Sequence, residues 1–300
     1  MTKVVPIRDH HVDLLALYEA GLELYHSGGL PKGETTGWPG VDEFYTVGRG
    51  QWTVVTGIPG SGKSEWLDAL MVNLAEADPA WLFCLYSPEN FPTVGHLVKL
   101  VEKRVRKPFN RGPTDRMSTS EYASGAAWVL EHFLWLETDL KSPESLLDAA
   151  LSYRGDPNRK LGVVLDPWNT LEHQRGGMNE TDYVSLVLTG VTHLARETGA
   201  HVWLVVHPAK ILRNRDGTRP VPTPYDLSGS AHWYNKADNI ITVHRDQVEG
   251  QDVEIHVQKV RFKNLGRVGL AMLKYDRVVG RYFEMKHYVD GELYADPERR

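Results

Sequence analysis

Residues 57–64 read Gly-Ile-Pro-Gly-Ser-Gly-Lys-Ser, a phosphate-binding loop of the form G-x-x-x-x-G-K-[ST]. The motif carries chemistry only between a strand and a helix, and both flanks are present. Residues 51–56 (Gln-Trp-Thr-Val-Val-Thr) are an apolar, β-branched run that predicts a buried strand. Residues 65–75 carry apolar side chains at helical spacing. Gly57, Gly60 and Gly62 let successive backbone N–H groups turn inward around phosphate oxygens, and the helix dipole adds positive potential. Pro59, Ser61 and Glu65 complete the stretch expected to line a nucleotide such as ATP. Lys63 is placed for the β- and γ-phosphates, and the Ser64 hydroxyl for Mg²⁺.

Strand-like and helix-like segments then alternate. Strands are expected at 81–86, 133–137, 161–165 and 201–206, with helices over 93–105, from 142 onward, and over 181–198. A polar excursion is expected at 107–118. Near the end the pattern predicts a helix at 228–237 and strands at 239–245, 252–262, 268–275 and 279–284. This order argues an α/β fold with a doubly wound, mostly parallel sheet and antiparallel C-terminal strands. Residues 9–25 have helical apolar spacing and end at Ser27-Gly28-Gly29, and residues 28–40 read as a linker. The expected division is a linker helix and linker at 1–37 and an ATPase domain at 38–300.

The 300 residues include one cysteine, Cys84, inside an apolar run. Neither disulfides nor a cysteine zinc site is available, which fits a reducing, cytosolic setting. Thirteen histidines show no metal-ligand spacing. No apolar run is long enough to span a membrane. A net charge of −5 gives no global signature of nucleic-acid binding, so any polyanion must meet a local basic patch.

Several residues are expected beside the phosphate loop. Asp166 ends an apolar strand, where a carboxylate can orient Mg²⁺ together with Ser64. Glu89 follows the strand at 81–86, expected next to the loop-bearing strand, and can polarise an attacking water. The alternative is a solvated loop carboxylate. His207 ends another strand and could touch a γ-phosphate, though a lone histidine there is more often structural. The loop from Lys210 to Arg219 carries Arg213, Asn214 and Arg215, and a second loop carries Arg175 and Gly176. Basic loops suit phosphate-backbone contacts, while taken alone they read as charged surface. Lys259 and Arg261 lie two apart on a strand and so share a face. Two cations there have no evident use in a monomer core, and they suit a γ-phosphate presented by another subunit.

The succession 205–210 (Val-Val-His-Pro-Ala-Lys), 225–231 (Tyr-Asp-Leu-Ser-Gly-Ser-Ala), 237–246 (Ala-Asp-Asn-Ile-Ile-Thr-Val-His-Arg-Asp) and 258–262 (Gln-Lys-Val-Arg-Phe) resembles a known family. It is the RecA-like P-loop domain of the superfamily-four ring helicases, the group of Twinkle, the T-odd phage primase-helicases and DnaB. The resemblance spans roughly 38–285. It implies an ATP- and Mg²⁺-dependent replicative helicase, forming a homo-oligomeric ring, a hexamer by that likeness, on single-stranded DNA at a replication fork, with 5′–3′ movement. By the same likeness Asp166 is the Walker B acid, Glu89 the base and His207 the γ-phosphate sensor. Lys210 and the loop beyond it bind DNA, Arg261 is the finger supplied in trans with Lys259 beside it, and Arg245 and Tyr275 sandwich the base. The helix at 10–26 sits where the family docks a linker helix on the next subunit. The cell implied is bacterial or phage-infected, with a mitochondrial setting left open. Rival readings are a RecA- or KaiC-like DNA-dependent ATPase without processive unwinding, and a nucleotide-dependent scaffold that hydrolyses slowly.

Overall fold

The structure is a computed structural model that describes residues 14–153, 158–209, 218–227, 230–245, 250–285, 288–289 and 292–293. Helix α1 (Leu14–His26) leads to a short α2 (Pro39–Asp42), β1 (Trp52–Thr56) and α3 (Lys63–Ala77). Next come β2 (Trp81–Tyr86), α4 (Thr93–Val105), α5 (Thr119–His132), β3 (Phe133–Trp135), α6 (Pro143–Ser152) and β4 (Lys160–Leu165). The chain continues through α7 (Glu180–Thr198), β5 (His201–Val206), α8 (Ser230–Lys236), β6 (Asn239–His244), β7 (Asp252–Val260), β8 (Gly269–Asp276) and β9 (Arg281–Glu284). A small hairpin, β10 (Tyr288–Val289) and β11 (Glu292–Leu293), follows.

Nine strands form one sheet in the order β3-β2-β4-β5-β1-β6-β7-β8-β9. From β3 to β6 all neighbours are parallel, and from β6 to β9 they are antiparallel. The expected mixed sheet is present. Its order corrects one expectation: β2 does not flank β1, because β4 and β5 lie between them. Glu89 therefore approaches the phosphate loop along the sheet edge rather than from the adjacent strand.

The parallel strands are apolar on both faces because helices cover both. Alternate residues divide between two cores. Val55, Trp203 and Val205 pack with α3, α4 and α5, while Val54, Val202 and Leu204 pack with α6, α7 and α8. Cys84 is a buried free thiol in the second core, and burial pushes its pKa up to about 12. Ser142 caps α6 by accepting from the Ser145 N–H, with Pro143 at the first position, as expected.

Two expectations fail. Helix α5 occupies residues for which no element is expected, and it opens with a capping box between Ser118 and Glu121. The expected linker is also shorter. Glu34 bridges Val47, Thr36 is fully buried, and Asn73 donates to the Thr36 carbonyl at 2.8 Å. Residues from 33 onward are thus fastened to the domain.

Candidate active site

The parallel strands end at one edge of the sheet, and the loops leaving that edge carry the expected site residues. Gly57 has φ 151°, and a Cβ there would stand 2.3 Å from the Val243 carbonyl oxygen. Gly62 caps α3 at φ 94°, with the Tyr282 hydroxyl 3.2 Å from where its Cβ would lie. The Lys63 ammonium is buried and donates to the Gly57 and Ile58 carbonyls at 3.0 and 3.2 Å. Burial lowers its pKa, against the pull of Asp166 and Glu89. Ser61 Oγ is buried and has no hydrogen-bond partner.

Asp166 is 4% exposed, and burial pushes its carboxyl up to about 6 despite a hydrogen bond with Ser64. The negative charges of Asp68 and Glu89 push the same way. Its Oδ1 has no hydrogen-bond partner. A buried, partnerless carboxylate oxygen beside a serine hydroxyl fits a hard divalent cation. Among the described residues no group of three or more His, Cys, Asp or Glu could hold a metal alone. Mg²⁺ binds through one or two carboxylates with waters and phosphate oxygens, and Asp166 offers one such carboxylate. Sequence reasoning missed Asp68, one helical turn beyond Ser64 and buried. The Trp135 indole N–H donates to His96 Nδ1 at 3.1 Å, so His96 Nε2 carries the proton that Asp68 accepts, at 3.1 Å.

Glu89 is exposed in the loop after β2, and its charge is felt at Lys63, Asp166 and His207. The His207 N–H donates to Asn169 Oδ1 at 3.0 Å. Burial holds the His207 ring below its ordinary pKa, and Lys63 adds to the effect. Lys63, Ser64, Asp166, Glu89 and His207 thus share one edge.

The expected base sandwich is not open. The Arg245 guanidinium lies 4.6 Å from the Tyr275 ring centre. A planar base between them needs about 7 Å, twice a van der Waals contact distance. Arg245 is buried, its Nε has no hydrogen-bond partner, and its guanidinium borders Gly62. Glu65 pairs with cations of α4. It takes Lys103 at 2.6 Å and Lys99 at 2.9 Å, and these cations outweigh burial to bring its carboxyl down to about 2.

Lys259 and Arg261 lie at the other end of the sheet. Strand β7 runs antiparallel to β6, so its last residue pairs with Asn239, the first of β6. Arg261 follows one position beyond β7. Its Nε donates to Asp238 Oδ1 at 2.9 Å, and its Nη2 donates to the carbonyls of Asn235, Lys236 and Ala237 at 2.9–3.1 Å. Lys259 donates to the Tyr234 and Asn235 carbonyls. This corrects the expectation that the pair has no use within one subunit, because both cations close the C-terminal end of α8. The buried Asp238 and its second partner Arg196, at 2.7 Å, were not foreseen.

Of the expected DNA-contacting residues, Arg175 pairs with Glu180 at 3.5 Å, Gly176 has φ 53°, and Arg219 is half-buried. The Pro222 carbonyl, just beyond, accepts from Thr242 and Gln258, which pins that loop's end to β6 and β7. Lys210, Arg213, Asn214 and Arg215 lie outside the described residues. So do residues 1–13, where the N-terminal helix was expected to begin. In α1, Leu15, Leu17, Tyr18 and Tyr25 are exposed.

Over 266 residues, 85% of the chain, the sequence is 42% identical to the Twinkle homolog protein, chloroplastic/mitochondrial, of Arabidopsis thaliana. The chain has a RecA-like ATPase fold. Three solved structures share this fold. The ATPase domain of G40P matches with a TM-score of 0.75 at 19% identity, covering 92% of this chain and all of that one. A DnaB-like replicative helicase matches at 0.72 and 18% identity, covering 92% of this chain and 68% of that one. The RadB recombinase is more distant, at 0.53 and 16%, covering 82% and 97%. No family model matches the chain. The chain spans 37% of the length of the Twinkle homolog. Among the described residues no helix is long and apolar enough to cross a membrane.

Proposed function

We propose that this domain is the ATP-driven motor of a replicative DNA helicase, working as a ring, most simply a hexamer, on single-stranded DNA. One observation carries the reading. The phosphate loop and Arg261 stand at opposite edges of one sheet, roughly 16 Å apart along a five-residue strand. An arginine cannot reach a phosphate across that distance, so any use of Arg261 in catalysis would be at the site of a neighbouring subunit. Lys63 would hold the phosphates, and Ser64 with Asp166 would hold Mg²⁺, which would neutralise charge developing on the phosphates. Glu89 would take the proton of an attacking water, and His207 would sense the γ-phosphate. Arg245 and Tyr275 part to admit the base. The loops bearing Arg175, Gly176, Lys210, Arg213, Asn214, Arg215 and Arg219 would hold the DNA strand. The exposed face of α1 supports docking on the adjacent subunit. The buried free thiol fits a reducing compartment, cytosol or organelle matrix alike.

The test mixes subunits. Lys63→Ala protein keeps Arg261, and Arg261→Ala protein keeps its phosphate loop. Mixed rings should recover DNA-stimulated ATP turnover that neither variant has alone, because some interfaces then hold one complete site. Absence of recovery, with mixed rings seen by mass, would leave an ATPase whose site is complete within one subunit and whose Arg261 is structural. Turnover without strand displacement by the wild-type ring would favour the RecA-like reading.

A further inference from the structure

The cations at the Arg261 edge share their acceptors. Asp238 is 1% exposed, and its Oδ1 takes both Arg261 Nε at 2.9 Å and Arg196 Nη2 at 2.7 Å. Its Oδ2 accepts the Trp52 N–H at 3.2 Å. The Asn235 carbonyl likewise takes both Arg261 and Lys259. Each of these Arg261 acceptors therefore has a second cation. Arg196 is itself fixed, donating to the Gly50 carbonyl and lying 5.5 Å from the Phe262 ring centre. With Arg49, Gly50, Gln51, Gly199 and Phe262 it lines an open cleft of about 450 Å³, so this edge is reachable from outside.

A buried carboxylate that loses its only cation is strongly destabilising, whereas one that keeps a partner is not. We propose that Arg196 is a positioning residue for hydrolysis: by remaining on Asp238 it lets Arg261 leave that carboxylate for the neighbour's γ-phosphate. The proposal rests on the trans role of Arg261 given above. Arg261 then alternates between two anions, its own Asp238 and the phosphate of the next subunit. Arg196 holds Asp238 in both states, and Lys259 keeps the end of α8 closed while Arg261 is away. The same arrangement gives each subunit a defined resting place for its finger, so a free subunit does not expose an unpaired arginine.

The experiment uses the full chain, with single-stranded DNA and Mg·ATP, and three variants beside wild type: Arg196→Ala, Asp238→Asn and the double variant. In Arg196→Ala, Asp238 has Arg261 as its sole cation, and kcat should fall about tenfold or more with KM unchanged. Replacing Asp238 by Asn removes the charge that retains Arg261. The double variant should therefore turn over within about threefold of wild type, faster than Arg196→Ala alone. A purely structural Arg196 predicts the reverse, since the second substitution would add damage. Wild-type turnover in Arg196→Ala, or a double variant no faster than that single one, overturns the proposal. The mixing of Lys63→Ala with Arg261→Ala subunits is run alongside. No recovery there defeats the shared-site reading, and this inference with it. Recovery there together with either adverse result defeats this inference alone.

Discussion

The two edges of the sheet are both rich in buried polar groups, yet they are satisfied in opposite ways. At the phosphate-loop edge, Asp166 Oδ1, Ser61 Oγ and Arg245 Nε are buried and lack partners. At the other edge, Asp238 has two arginines and a backbone N–H. Leaving a buried polar atom unpaired costs about 1–3 kcal/mol, so the first edge offers protein groups that a bound ligand or water can pair. The second is complete without any ligand, and acting there means breaking something already made. The difference explains why partnerless atoms mark the edge proposed to bind nucleotide, while the edge proposed to face a neighbour is recognisable only through shared partners.

The largest expected effect breaks the first edge. Lys63→Ala should lose turnover by more than ~10³-fold and weaken nucleotide binding sharply, because its buried ammonium lines the phosphate cradle. Isothermal titration with an ATP analogue and a turnover assay check both parts. Glu89→Gln comes next, with turnover down by ~10²-fold or more and binding retained, since a base is removed and every phosphate contact stays. Ordinary turnover in that variant would remove Glu89 from the chemistry and leave Glu172, at the start of the next loop, to be tested.

The edges should also separate by pH. Asp166 is pushed up to about 6, so a cation competes with a proton there, and apparent Mg²⁺ affinity should fall about tenfold from pH 7 to pH 5. Lys259 is lowered to about 8, first by burial and then by Arg261, so the opposite edge loses a charge as pH rises through 8. A turnover profile with two limbs is expected. Lys259→Arg should remove only the alkaline one, and an unchanged alkaline limb would show that Lys259 does not set it. The smallest effect concerns DNA. Neutralising Arg213 and Arg215 together should weaken single-strand binding several-fold and equally across sequences. It should also flatten the salt dependence by roughly one unit for each phosphate no longer neutralised. An unchanged affinity and salt slope would make that loop ordinary charged surface.

Much of the first edge was legible because its chemistry is local. Strands at 81–86 and 201–206 and the helix at 93–105 fall where the apolar patterns place them, and β4 and β5 are each followed at once by a polar residue, Asp166 and His207. Strand order was not legible, because no residue in β2 encodes that β4 and β5 separate it from β1. Helix α5 had a readable signal, the Ser118–Glu121 capping box, that its mixed interior pattern obscured. The partners of Glu65 come from α4, more than thirty residues away, and those of Asp238 from α7 and the end of β7. Pairings of that kind follow from tertiary packing, and spacing along the chain does not contain them.

The stacked indoles of Trp38 and Trp66 sit 6.2 Å apart at an interplanar angle of 23°. Trp66 lies one turn beyond Lys63, and Trp38 lies in the stretch fastened to the domain just after the segment that carries α1. Their transition dipoles are close enough to couple, so the near-ultraviolet circular dichroism of this pair is a built-in optical gauge. It reads out, without any added label, whether the stretch that follows α1 stays seated against the helix that begins at the phosphate loop.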